Sequence, residues 1–121
     1  MNESWYSLSN LQGNPDNIIS ANAFFPADSP WFSGHFPGDP IVPGVAQLSI
    51  IFDVIKKCYD KEKNATIVSI KKTRFKYLVK PEELINILIT PDKKSANTYS
   101  FQITAGDKTT CSGIITLKEI D

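Results

Sequence analysis

A chain of 121 residues, 41% hydrophobic and 21% charged, has room for one domain and enough apolar mass for a core, which excludes global disorder. Thirteen Lys+Arg balance thirteen Asp+Glu, so the chain lacks the basic surplus of a nucleic-acid binder, although a local basic stripe stays open. Two cysteines and a single histidine provide neither a disulfide framework nor a Cys/His metal cluster, so no metal is expected; no cofactor is expected either.

Residues 1–16 form a polar N-terminal segment closed by the turn signal Gly13-Asn14-Pro15. It has no basic or apolar signal-peptide region, and the most apolar stretch, Val45 to Ile55, is interrupted by Gln47, Ser49 and Asp53. That stretch falls short of the roughly 20 residues needed to cross a bilayer, so a cytoplasmic protein without a membrane span is expected. Ile19, Ala21, Ala23 and Phe25 alternate with Ser20 and Asn22, as in a half-buried strand. Residues 26–43 carry five prolines and two glycines, which suits a long, conformationally fixed loop.

A helix over 44–59 follows, with Pro43 at its start. Val45, Leu48, Ile51, Phe52 and Ile55 recur at helical spacing, and Ile50 and Val54 widen the stripe almost all the way round, so the helix is expected to be buried. Asp60 to Asn64 reads as a solvated turn. Residues 66–119 form a β-rich half. Its first strand, Thr66 to Val79, changes parity between Ile70 and Phe75, which predicts a bulge near Lys71 to Arg74. Leu84 to Ile89 is apolar on both faces and reads as a central strand. Two further alternating runs, Tyr99 to Ala105 and Cys111 to Leu117, flank Gly106-Asp107 as a hairpin. One helix among these strands predicts an α+β domain spanning 1–121, a long antiparallel sheet wrapped around one central buried helix. At this size, burying one face against a second copy is a plausible source of stability.

The informative stretch is Gly34-His35-Phe36-Pro37-Gly38-Asp39-Pro40-Ile41-Val42-Pro43-Gly44-Val45. It puts the sole histidine on a proline-fixed loop running into a helix N-terminus. Free N–H groups there suit a developing oxyanion, and an imidazole beside them suits proton abstraction α to a carbonyl. A loop histidine that only hydrogen-bonds locally is the plain alternative. The motif resembles the signature of the β-hydroxyacyl-acyl carrier protein dehydratases, which have the hot-dog fold. Ile70 to Val79 with Pro81 resembles that family's bent strand after the helix. Gln47-Leu48 resembles the PGV-x-QL helix start of an aryl-polyene-type branch.

The resemblance implies a lyase of fatty-acid or polyene lipid biosynthesis, with His35 as base on C2 of a 3-hydroxyacyl thioester and the Gly44 amide holding the thioester oxygen. Its substrate would be carried by acyl carrier protein or coenzyme A. Its active sites would lie at the interface of a homodimer or higher oligomer, or of a heterodimer with a related hot-dog subunit. Trp31, Phe36, Pro43 and Val45 are the candidates for contacting the acyl chain, although core packing accounts equally well for Trp31 and Phe36.

The family's helix acid falls at Ser49, whose hydroxyl cannot act as a general acid near neutral pH. The aryl-polyene-type branch has aspartate there. Asp53, one turn on, shares the helix face of Ser49 and is the in-chain substitute; an ordinary pair with Lys56 or Lys57 is its plain alternative. Three readings follow: an active dehydratase, a subunit that needs a partner's carboxylate, and a thioesterase. The missing carboxylate counts against the last, and the HFPG-type loop favours dehydration. Lys71, Lys72, Arg74, Lys76 and Lys80 form a basic run that fits either an acidic carrier or a solvated strand face.

Overall fold

The computed structural model describes residues 6–14, 17–29, 42, 44–58 and 64–120. Six strands and one helix follow one another in the order β1 (Ser7–Gln12), β2 (Ile19–Phe24), α1 (Gly44–Cys58), β3 (Asn64–Phe75), β4 (Ile85–Pro91), β5 (Thr98–Ala105) and β6 (Lys108–Ile120). The strands form one antiparallel sheet in the order β1-β2-β4-β5-β6-β3, with α1 against its inner face. This is the expected hot-dog architecture.

Strand β1 was not anticipated. Its residues are exposed apart from the half-buried Leu8, and a register shift with Asn10 at φ 54° breaks its alternation. An edge strand that sends one apolar side chain inward leaves no periodic trace in a sequence. On the outer face, amides cross three strands: Asn10 Nδ2 donates to Asn22 Oδ1 at 2.9 Å, and Asn22 Nδ2 donates to Asn86 Oδ1.

Ile19, Ala21 and Ala23 on β2 face the core, as their alternation requires. Strand β4 sits centrally between β2 and β5 but does not bury both faces: Ile85, Ile87 and Ile89 point inward, while Leu88 is 44% exposed. With the helix on one face only, the other faces outward. Tyr99, Phe101 and Ile103 of β5 and Cys111, Ile115 and Leu117 of β6 complete the inner face. Cross-strand from Phe101, Gly113 leaves room for its ring: a Cβ there would lie 2.7 Å from Phe101 Cζ. The hairpin turn forms where expected, with Gly106 at φ 62° in the first central position of a two-residue loop.

The β3 bulge also falls where the parity change places it. Register shifts between Lys71 and Arg74, and Lys72 adopts φ 54°; a second shift separates Ile67 from Ser69. The strand ends at Phe75, earlier than Val79: one further β6 carbonyl is reached, and the chain then leaves the ladder. The Lys76 N–H donates to the Thr110 carbonyl at 2.8 Å, and the Val79 carbonyl accepts from the Val42 N–H at 2.7 Å.

Helix α1 buries Ala46, Gln47, Ile50, Ile51, Val54 and Ile55, and Ile50 alone contributes about 1.5–3 kcal/mol by leaving water. It is not buried all round, because a single sheet covers only one side. Val45 is 59% exposed, and Leu48 and Phe52 are half-buried. The helix is described to Cys58; position 59 of the expected span lies outside the described residues.

Candidate active site

The helix begins at Gly44, and its first turn holds N–H groups with no intrahelical acceptor. Glycine lets the Phe75 ring pack close here, since a Cβ would lie 2.9 Å from it and the half-exposed ring would have to shift. The end of β3 thus packs directly on the helix start. No acidic residue occupies the first turn, so its positive end is not neutralised from within the helix.

Along the flank of α1 that faces β3 runs a cleft of about 360 Å³ among the described residues. The helix lines it with Val45, Leu48, Ser49, Phe52, Asp53 and Lys56, and β3 adds Ile67 and Ile70. Its walls are apolar except for Ser49 and Asp53, which project one turn apart, and for Lys56. The structure therefore brings together three of the expected site residues, Val45, Ser49 and Asp53, with Gly44 heading the same helix. His35, Trp31, Phe36 and Pro43 lie outside the described residues.

Asp53 is already engaged. Its Oδ2 accepts a hydrogen bond from the Tyr6 hydroxyl and lies 3.8 Å from Lys57 Nζ, so the i,i+4 pair foreseen as its plain role does form. Tyr6, 5% exposed and tilted against Phe25, had no signal in the sequence, because it reaches the helix from 47 residues away. Burial, then the hydrogen bond and negative charge of Asp53, push the Tyr6 phenol well above its ordinary range. It stays a neutral donor throughout the physiological range.

Gln47 points away from Ser49, into the sheet. It is 3% exposed, and its Oε1 accepts from the Thr110 hydroxyl at 3.2 Å. That pairing satisfies a buried amide oxygen and ties α1 to β6. Neither cysteine suits a nucleophile, since burial raises both thiols, Cys111 up to about 11. Among the described residues, no three His, Cys, Asp or Glu side chains gather to hold a metal ion. No described helix is long and apolar enough to cross a membrane.

Residues 11–114 match a family model described as "ApeI dehydratase". The chain is 31% identical over 111 residues to the 3-hydroxyacyl-[acyl-carrier-protein] dehydratase FabZ of Lactiplantibacillus plantarum, covering 85% of this chain and 75% of that protein. The FabZ of Levilactobacillus brevis is 29% identical over 111 residues, covering 85% and 74%. Among solved structures, the dehydratase heterocomplex ApeI:P from Xenorhabdus doucetiae superposes with a TM-score of 0.77 at 23% identity, over 91% of this chain and 95% of that one. A match over most of the chain, on a sheet and helix of the same fold, assigns this protein to the ApeI-like dehydratase family.

Proposed function

We propose that the protein takes part in dehydrating 3-hydroxyacyl thioesters to 2-enoyl thioesters in fatty-acid or polyene lipid synthesis. The observation that carries this reading is the match of residues 11–114 to the dehydratase family, which includes the loop-to-helix motif. His35 takes the C2 proton while the Gly44 N–H holds the thioester oxygen, on which charge builds. The electron pair forms the C2–C3 double bond, the C3–O bond breaks, and the hydroxyl leaves as water once it is protonated. The acyl chain lies against Val45 and the loop residues Trp31, Phe36 and Pro43. The thioester is borne by acyl carrier protein or coenzyme A.

The proton for the leaving hydroxyl is the step on which two readings part. In the first, Asp53 supplies it from the cleft, directly or through a water held by Ser49. In the second, a partner subunit of the same fold supplies the carboxylate, and His35 completes a composite site. Two observations favour the second: Ser49 stands in the cleft where an acid is needed, and Asp53 Oδ2 is shared by Tyr6 and Lys57. The similar fold of the ApeI:P heterocomplex is consistent with it.

The test follows conversion of a 3-hydroxyacyl thioester by wild type, His35→Ala and Ser49→Asp, each alone and mixed with a hot-dog subunit encoded beside it. Activity of wild type alone that disappears in His35→Ala supports the first reading. Silence alone, with activity restored by the partner or by Ser49→Asp, supports the second. If every arm of the experiment stays silent, dehydration is the wrong reaction.

A further inference from the structure

The outer face of the sheet, opposite α1, is uncharged over most of its width. Strands β1, β2, β4 and β5 are neighbours in the sheet. None of the four contains Asp, Glu, Lys, Arg or His, in a chain 21% charged. Their outward side chains are mostly amides and hydroxyls, joined by Phe24 at 37% and Leu88 at 44% exposure. Three of the amides cross this face in a fixed direction: Asn10 Nδ2 donates to Asn22 Oδ1, and Asn22 Nδ2 donates to Asn86 Oδ1. The ladder therefore ends in an acceptor, Asn10 Oδ1, on β1 and in a donor, Asn86 Nδ2, on β4. Beside it lies a hollow of about 450 Å³ whose lining, among the described residues, is likewise uncharged.

A face that merely meets water has no reason to exclude charge, and an edge strand such as β1 is ordinarily guarded by it. Depletion of charge is instead what marks the centre of a protein interface. A two-fold interface demands it most, because a residue near the axis meets its own copy and any charge there is repelled. The ladder fits the same symmetry. An axis through Asn22 sets Asn86 Nδ2 of each copy toward Asn10 Oδ1 of the other, so donor meets acceptor twice. Phe24 and Leu88 supply apolar contact that amides alone lack. The face is separate from the helix cleft, with which its hollow shares no lining residue.

We propose that the outer face of the sheet is an isologous contact between two copies of this chain, with its two-fold axis at Asn22. The inference is independent of the dehydratase reading, and the contact is additional to any made at the helix flank. Sedimentation velocity tests it on wild type, Asn22→Lys, Asn22→Glu and an equal mixture of the two variants. Each variant alone sets like charges face to face. Its mass is expected to be half that of wild type, with association weakened at least about tenfold. The mixture pairs opposite charges across the axis and should restore the wild-type mass.

Circular dichroism melting shows whether each variant is folded. Should an Asn22 variant not fold, Leu88→Lys, at an exposed position, reads the same face: a halved mass supports the contact and an unchanged mass overturns it. Equal mass in all four samples overturns the proposal and leaves the face to a different protein or a neutral ligand. A monomeric wild type overturns it as well. So does a lowered mass that mixing does not restore, because the charge then acts elsewhere than across a two-fold axis.

Discussion

Tyr6 and Asp53 show how much one contact between distant residues can decide. A neutral phenol donating to a carboxylate in a half-buried setting contributes about 1.5–3 kcal/mol, so Tyr6→Phe should lower unfolding free energy by that order in urea titrations. Tyr6 and Cys111 also set an alkaline limit. Both hold their protons more tightly when folded, so the unfolded chain releases them first as pH rises. Stability should therefore be full below pH 9.0, the ordinary thiol value, and decline as pH climbs toward about 11, where buried Cys111 titrates. In Cys111→Ala that decline should be shallower, as measured by urea midpoints at a series of pH values. None of this was legible in the sequence. Asp53 could be placed on the face of Ser49 by helical spacing, but the residue that would engage it from outside the helix could not.

At the scale of elements, most of what was foreseen rests on local rules. The hairpin at Gly106-Asp107, the bulge near Lys71 and the start of the helix at Gly44 each depend on residues adjacent in sequence, and each formed where those residues require. What failed depends on neighbours. Strand β1 shows no alternation because it is an edge, and β4 looked two-sided because Leu88 projects from its exposed face. The same logic predicts which substitutions matter. Gly106→Ala places a Cβ at φ 62° and should cost about 1–2 kcal/mol, although the turn has open space around it. Gly113→Ala drives a methyl group into Phe101 and should cost about 1–3 kcal/mol. Thermal or urea unfolding of the two variants checks both, and a negligible loss for Gly113→Ala would mean that the ring can swing aside.

For the whole molecule, the flank that carries the cleft is its least finished surface. Val45 is 59% exposed, Val68 58% and Ile67 37%, beside a β3 edge that no other described strand covers. An apolar flank next to an open strand edge is suited to packing against a second subunit. Val45→Lys together with Ile67→Lys should reduce association, with itself or with a hot-dog partner, at least about tenfold in sedimentation velocity. If the mass in solution is unchanged, the subunit contact lies elsewhere. This level was the least legible of all: composition suggested that a partner would help, but only the folded chain shows which face the described residues leave open.

The strand order carries a kinetic consequence as well. Strands β4, β5 and β6 are successive neighbours joined by short loops, so their meander closes over small sequence separations. The β3–β6 ladder instead joins Asn64 to Ile120, and β2 must wait for β4 across the whole helix. Loop-closure entropy favours early formation of the local meander and late docking of β3. Gly106→Ala should accordingly slow refolding, while Ile70→Ala in β3 should mainly speed unfolding, a contrast that stopped-flow chevron plots can read.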